Sequence, residues 1–371
     1  LSLAFLFGMI AHRLRLPLIA GYLLAGVVIG PFTPGYVADQ DIATELAEMG
    51  VILLMFGVGL HFSAKDLLAV KAAAVPGALG QIAVAALAGV ALGWALGWGI
   101  GGGLVFGLSL SVASTVVLLR ALQERGILTD DVGKLAVGWL IVEDLVMVVV
   151  LVLIPPLAGL MGGTTVPVDG EIAAVANWGF GPLGATLLFT FAKVAGFVAL
   201  MLVVGQRLIP AILHRSMHTG QRELFRLAVL AIALGVAYGS AELFGVSFAL
   251  GAFFAGMVMA SSTLSAQAMK DTLPLRDAFA VLFFVSVGML FNPRIIVEQP
   301  LALVGTIAII VGVKSFAAYV LMRGFGHDRK AATVLAASLA QVGEFSFILI
   351  GMGVQLEIVP MAGRDLIVAG A

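Results

Sequence analysis

The stretch KLAVGWLIVEDLVMVVVLVLIPP at residues 134–156 is apolar except for Lys134 at its start and two adjacent carboxylates, Glu143 and Asp144. As one helix it is long enough to cross the roughly 30 Å hydrocarbon core of a bilayer. Asp144 lies ten residues after Lys134 and eleven before Pro155, about 15 Å from either end at 1.5 Å per residue. A charge at that depth costs roughly 2.5 to 3.5 kcal/mol, so both carboxylates are candidates for a functional site.

The rest of the chain has the same apolar character. Of its 371 residues, 61% are hydrophobic and 11% are charged, and the mean hydropathy is +1.14. A soluble globular protein has about 25% charged residues, so that class is excluded. The absence of cysteine excludes disulfides and thiolate metal sites, and nothing indicates nucleic-acid binding. We predict an all-α polytopic membrane protein with about 13 transmembrane helices.

The distribution of basic residues predicts the orientation, because cytoplasmic loops of membrane proteins carry an excess of Lys and Arg. With thirteen spans, sixteen Lys and Arg residues lie in one set of alternate loops, and only Arg294 and Arg364 lie in the other. We therefore predict an N-terminus outside and a C-terminus inside the cell. The first and last apolar segments are short, so we expect the chain to begin and end within helices.

An internal repeat is indicated by two matches at nearly the same offset along the chain. IAGYLLAG at 19–26 corresponds to ALGAFFAG at 249–256. VGLHF at 58–62 corresponds to VGMLF at 287–291, with an offset shorter by a single position. Glycines fall on glycines in both matches.

The repeat predicts the organisation of a membrane transport domain that covers residues 1–371. We assign residues 17–156 to a first five-helix repeat, 157–246 to connecting helices and 247–371 to a second, truncated repeat. An odd number of spans makes the second copy enter from the opposite side, so the repeats are inverted. Inverted repeats are typical of secondary transporters, which bind their substrates near the midplane.

The ionisable residues at mid-membrane depth suggest ion binding. Adjacent helical residues point about 100° apart, so Glu143 and Asp144 are expected to have different roles. Repulsion between them favours proton binding by at least one, and a carboxylate that holds either a proton or a monovalent cation couples the two by competition. Lys314 is also deep in a span and needs an anion; a structural counter-charge and a titrating role are equally compatible with its position.

Two polar segments without proline occupy matching positions in the two repeats, SLSVAST at 109–115 and SLAQVGE at 338–344. Unwound helices at such positions expose carbonyls to a cation and helix N-termini to carboxylates. Hydroxyls in membrane helices also often bond back to their own helix. Glu344 has three alternatives: ligating the ion, pairing with an arginine such as Arg120, or bracing the broken helix. The candidates are Ser114 and Thr115 for cation or proton binding with the two carboxylates, and Ser111, Gln341 and Glu344 as polar groups of the interrupted helices.

With these residues in view, the chain resembles the membrane part of Kef-type transporters of the monovalent cation:proton antiporter-2 family, in its YbaL-like branch. The resemblance spans nearly all of the chain. It is carried by the motifs GYLLAGVVIGPFTPG (21–35), VILLMFGVGLHF (51–62), ASTVVLLRAL (113–122), GWLIVEDLVMV (138–148), SFALGAFFAGMV (247–258) and LAQVGEFSFIL (339–349).

This resemblance implies a sodium/proton antiporter-like fold with two crossed discontinuous helices, a homodimer, and an essential aspartate at Asp144 in a bacterial inner (plasma) membrane. Potassium-efflux members have Gln before that aspartate, whereas this chain has Glu143, which leaves the ion and the stoichiometry open. The family usually carries a cytoplasmic nucleotide-binding regulatory domain after the membrane region. We expect that domain to be absent from this chain and expect no cofactor within it.

The leading hypothesis is secondary active exchange of a monovalent cation for a proton, without a covalent reaction and therefore not an enzymatic activity. Potassium is the first choice of cation and sodium the second. A ligand-gated potassium efflux channel is an alternative, although it needs a continuous selectivity path. Sodium-coupled uptake of an organic anion and a membrane sensor without transport are further alternatives.

Overall fold

The computed structural model describes residues 1–61, 64–115, 117–118, 122, 126–127, 130–164 and 181–371. Within these ranges every regular element is a helix. In chain order the helices are α1 (Ser2–Arg13), α2 (Leu18–Val28), α3 (Gln40–His61), α4 (Ala64–Ala95), α5 (Gly99–Ser111), α6 (Asp131–Leu157), α7 (Gly181–Leu200), α8 (Gln206–His218), α9 (Arg222–Phe244), α10 (Phe248–Ala260), α11 (Ser265–Met289), α12 (Ile295–Glu298), α13 (Pro300–Ile307), α14 (Lys314–Gly324), α15 (Arg329–Ser338), α16 (Glu344–Gln355) and α17 (Met361–Gly370).

Short tighter or wider turns continue some of these helices. A 3₁₀ turn, Ala158–Met161, follows α6. A π-helical turn, Met201–Gly205, joins α7 to α8, and a second, Ala308–Val313, joins α13 to α14. The second π turn ends directly before Lys314, and π turns inside helices are frequent at functional sites.

Length and apolar composition make seven helical stretches of the described residues able to cross a membrane. Four shorter apolar helices, α2, α5, α10 and α16, accompany them. The predicted class, an all-helical polytopic membrane protein, is therefore confirmed, and the count of thirteen spans stays a prediction. The seven stretches are Gln40–Leu60, Lys71–Ala95, Asp131–Met161, Phe191–His218, Arg222–Phe244, Ser265–Met289 and Pro300–Gly324.

The chain divides into two compact units. The first consists of Leu1–Phe62 and Val166–Leu290. In it, α2 packs on α11 and α3 packs on α10. Glycine makes both contacts close: a Cβ at Gly26 would strike the carbonyl oxygen of Val285, and one at Gly256 would strike that of Phe56. Small residues allow membrane helices to approach backbone to backbone.

The second unit consists of Ser63–Thr165 and Phe291–Ala371. Helix α4 packs along α5 and α6, and α16 packs on α5. Its core is formed by side chains from α4, α6, α14 and α15 around the fully buried ring of Trp139. All of the candidate site residues belong to this unit.

Helices in the second unit are interrupted at both polar segments. Helix α5 ends at Ser111, and Val112 is extended with φ −95° and ψ 138°. Helix α15 ends at Ser338, and Gly343 is extended before α16 begins at Glu344. The expectation of non-helical backbone at these segments is confirmed. We call residues 112–114 the first break and residues 339–343 the second break.

Candidate functional site

Helix α6 carries the two adjacent carboxylates near its middle. Glu143 is fully buried and Asp144 is 7% exposed, so both are nearly withdrawn from solvent. Their partners differ, as the 100° step between neighbouring helical residues requires.

Glu143 binds the backbone of the first break. Its Oε2 accepts a hydrogen bond from the amide of Ala113 at 2.9 Å. Its other oxygen, Oε1, is buried, and the Trp139 indole, one turn earlier on α6, interacts with the carboxyl group as a hydrogen-bond donor. Since the amide of Ala113 lies outside any helix, the carboxylate supplies an acceptor that regular structure does not.

Asp144 faces a hydroxyl just beyond the same break. Its Oδ2 accepts a hydrogen bond from Thr115 Oγ1 at 3.1 Å. The carboxylates of Glu344 and Glu143 both interact electrostatically with it. Asp144 therefore lies within electrostatic reach of two other buried carboxylates.

The two breaks contact each other directly. The side chain of Gln341 donates to the carbonyl of Ser114 at 3.2 Å and accepts from the amide of Ser114 at 3.3 Å. The amide of Gly343 donates to the carbonyl of Val112 at 3.2 Å. A Cβ at Gly343 would lie 2.8 Å from the carbonyl oxygen of Ala113, so glycine is required for this approach.

Lys314 lies fully buried beside the second break. Its Nζ donates to the carbonyl of Gln341 at 2.7 Å, and its charge interacts with that of Glu143. The lysine therefore satisfies a carbonyl that the interrupted helix leaves without an amide and also supplies a positive charge near the carboxylates.

The hydroxyls of the two serine candidates form hydrogen bonds with backbone groups close to them in sequence. Ser111 Oγ donates to the carbonyl of Leu108 at 2.7 Å, within its own helix. Ser114 Oγ accepts from the amide of Val117 at 3.4 Å, which resembles an N-cap. Glu344 is the first residue of α16 and is buried. The alternative partner for it, Arg120, lies outside the described residues.

The sequence reasoning missed Gln81 and Trp139. Gln81 Nε2 donates to the carbonyl of Ser111 at 2.8 Å, and Trp139 Nε1 donates to Gln81 Oε1 at 3.0 Å. The signal was present, because Gln81 is the only polar side chain between Lys71 and Trp94. A single amide in an apolar span needs buried partners.

The side chains around Asp144 differ from a transition-metal site in their composition. Among the described residues, no group of three or more histidine or carboxylate side chains is arranged to hold a metal ion. The groups that the structure places near the Asp144 carboxylate are the Thr115 hydroxyl and two further carboxylates, all of them oxygen donors.

Comparison with known proteins agrees with this geometry. A family model described as "Sodium/hydrogen exchanger, transmembrane" matches residues 1–368. The chain is 60% identical over 371 residues to "Putative cation/proton antiporter YbaL" of Escherichia coli (strain K12). It is 31% identical over 346 residues, 92% of the chain, to K(+) efflux antiporter 4 of Arabidopsis thaliana. The chain spans less than two thirds of the length of these relatives, 64% of the first and 55% of the second.

A solved structure has the same fold. The sodium proton antiporter MjNhaP1 of Methanocaldococcus jannaschii, determined at pH 8, matches with a TM-score of 0.68 and 16% sequence identity. The match covers 100% of this chain and 91% of that protein. At this identity the likeness concerns the fold alone.

Proposed function

Because the chain belongs to the sodium/hydrogen exchanger family, we propose that it exchanges a monovalent cation for protons across a membrane, with Asp144 binding each in turn. The observation that carries this proposal is the placement of the Asp144 carboxylate, nearly dehydrated and hydrogen-bonded to Thr115 beside the first break. A dehydrated carboxylate with few fixed donors can exchange a proton for a cation without rearrangement of a larger network.

Potassium is the proposed cation and sodium the alternative. The names of the Arabidopsis relative and of the archaeal structure mention potassium and sodium respectively. Glu143 takes the position before the aspartate where the potassium-efflux members have Gln, so the choice of ion must be measured.

Charge balance explains how such a site would enforce exchange. Glu143, Asp144 and Lys314 together carry one net negative charge when all are ionised. Binding of a proton or a monovalent cation neutralises this group, whereas the empty group would cross a region of low dielectric with a charge. Glu344 adds a further negative charge unless it holds a proton, so it belongs to the same balance.

The proposed architecture is a pair of inverted repeats, residues 17–156 and 247–371, joined by 157–246 within thirteen spans. Two sets of contacts support it. Gly26 contacts Val285, and Gly256 contacts Phe56. The offset of the first sequence match pairs Gly26 with Gly256, and that of the second pairs Phe56 with Val285, so the two contacts are equivalent. Gly343 packs on Ala113, which occupies the matching position of the first repeat. A two-fold axis between the repeats would bring such equivalent residues together.

The same proposal includes the two breaks as crossed discontinuous helices, a homodimer, and a bacterial inner membrane with the N-terminus outside and the C-terminus in the cytoplasm. Proton and cation gradients would drive the exchange, and the reaction would make or break no covalent bond.

The test is cation-driven proton flux in proteoliposomes, measured with an internal pH dye after a potassium or sodium gradient is imposed. Asp144→Asn should abolish the flux and leave the protein folded. Asp365→Asn is the matched control, because Asp365 is also a buried aspartate of the second unit but bonds the amide of Asn292 and pairs with Arg364. Flux that survives in Asp144→Asn would overturn the assignment.

A further inference from the structure

Gln81 is a buried amide to which the proposed exchange assigns no task. It is fully buried on α4, a helix that is otherwise apolar from residue 72 to residue 93. A primary amide at such a place remains only where its donors and acceptor find partners.

The two partners of Gln81 determine how its amide is oriented. The Trp139 indole can only donate, and the Ser111 carbonyl can only accept, so the Oε1 of Gln81 faces Trp139 and its Nε2 faces Ser111. Ser111 is the last residue of α5. Its carbonyl would bond an amide four residues later if the helix continued, and Gln81 replaces that missing donor.

Helix α6 therefore holds the backbone at two points, one within the first break and one directly before it. Glu143 accepts the amide of Ala113 directly, and Trp139, one turn earlier on the same face, holds the carbonyl of Ser111 through Gln81. Space for the indole is provided by Gly77 on α4, where any Cβ would overlap the Trp139 ring.

The second break has a corresponding contact with a different donor. The carbonyl of Gln341, the counterpart of Ser111 in the second repeat, accepts from the charged Nζ of Lys314. The donor at the first break is neutral, so the strength of its bond does not depend directly on charge at the carboxylates.

We infer that Gln81 is a positioning residue: by fixing the carbonyl of Ser111 it fixes the first break and the Thr115 hydroxyl beyond it, and so sets the affinity of the Asp144 site for its cation. This inference rests on the proposed exchange function. It assigns no contact between Gln81 and the transported ion.

The first test separates positioning from folding. Gln81→Met keeps the length of the side chain and removes both hydrogen bonds. We expect the KM for the cation to rise about tenfold, the loss expected from the one of these two bonds that fixes the carbonyl of Ser111, while kcat changes little. Thr306→Val is the matched control, because Thr306 is equally buried in the second unit and, among the described residues, its hydroxyl bonds Ala302 of its own helix. Its KM should equal that of the parent.

Gln81→Glu tests rescue by the conservative variant. A neutral carboxylic acid has one O–H donor and one carbonyl acceptor, so it reproduces both bonds. At the acidic end of the assay range we expect Gln81→Glu to keep a KM close to that of the parent, unlike Gln81→Met. Equal KM values for these two variants there would overturn the inference.

A double-mutant cycle tests the chain of bonds. Trp139→Phe removes the indole donor, which reaches the carbonyl of Ser111 through Gln81 and also interacts with the carboxylate of Glu143. The effect of the double variant with Gln81→Met on log KM should therefore be smaller than the sum of the two single effects. Additive effects on log KM would show that the two side chains act independently and would contradict the inference.

Hydrogen exchange of residues 108–115 gives a measurement that does not depend on transport. At the same acidic pH, Gln81→Met should increase exchange several-fold in this segment, and Gln81→Glu and Thr306→Val should not. A parent protein without cation-driven proton flux would refute the exchange proposal, whereas unchanged protection in Gln81→Met would refute the positioning role by itself.

Discussion

Removing the positive charge of Lys314 is expected to destabilise the protein strongly. Lys314 and Glu143 are both fully buried and their charges interact, and loss of one member of a buried pair costs about 3–5 kcal/mol. Lys314→Met also loses the bond to the Gln341 carbonyl at 2.7 Å, and bonds from charged donors contribute about 1.5–3 kcal/mol. Because these values overlap in part, we expect the free energy of unfolding to fall by about 5 kcal/mol. Denaturant unfolding in detergent micelles, followed by circular dichroism, measures it.

The double variant with Glu143→Gln decides whether charge pairing is the cause. Gln keeps an acceptor for the amide of Ala113 but removes the charge, so Glu143→Gln with Lys314→Met should recover at least about 2 kcal/mol relative to the sum of the two single effects. Purely additive losses would refute the pairing. Lys314→Arg, which keeps the charge, should be milder than Lys314→Gln. If the pH dependence of cation binding were identical in these two variants and the parent, the charge of Lys314 would have no effect on proton or cation binding at Asp144.

Three further expectations follow from single contacts. Thr115→Val removes the hydroxyl at the binding carboxylate and should raise the KM for the cation about tenfold in the flux assay without lowering the unfolding temperature. Gly343→Ala places a Cβ 2.8 Å from a carbonyl of the first break. It should lower the free energy of unfolding by about 1–3 kcal/mol and slow cation/proton exchange in the flux assay. Gly351→Ala, whose Cβ meets nothing within 4 Å, should be tolerated in both assays. Gly26→Ala and Gly256→Ala should destabilise equally in denaturant unfolding, because they disturb equivalent contacts of the proposed repeats; a large difference would count against the repeats.

The helical class and the positions of the breaks were accessible from the sequence because their signals are local. Apolar runs, the low charge content and the polar segments at 109–115 and 338–344 all follow from neighbouring residues. The irregular helical turns could not be predicted from the sequence. The π turn before Lys314 has no sequence signature, since its residues Ala308–Val313 are as apolar as the α-helices on either side.

The sequence also singled out the carboxylates without showing their partners. Depth identified Glu143 and Asp144, and helix geometry required different directions for them, but the amide of Ala113 and the hydroxyl of Thr115 become neighbours only when α6 packs beside the first break. Ser111 shows the converse. Its hydroxyl was the candidate, yet the hydroxyl bonds its own helix and the carbonyl makes the long-range contact.

The contact of Glu143 with the first break explains how Glu and Gln can occupy the same position in related transporters. Either side chain offers an oxygen to the amide of Ala113, so the anchoring of the break does not require the charge. What Glu143 adds is a negative charge that interacts with Lys314. In the proposed mechanism that charge offsets the lysine and leaves the charge of Asp144 to be neutralised by the transported ion. A chain with Gln at this position and the same lysine would carry one negative charge fewer in its empty state. The two kinds of transporter would therefore differ in the charge that they move, while the backbone geometry of the first break would be the same.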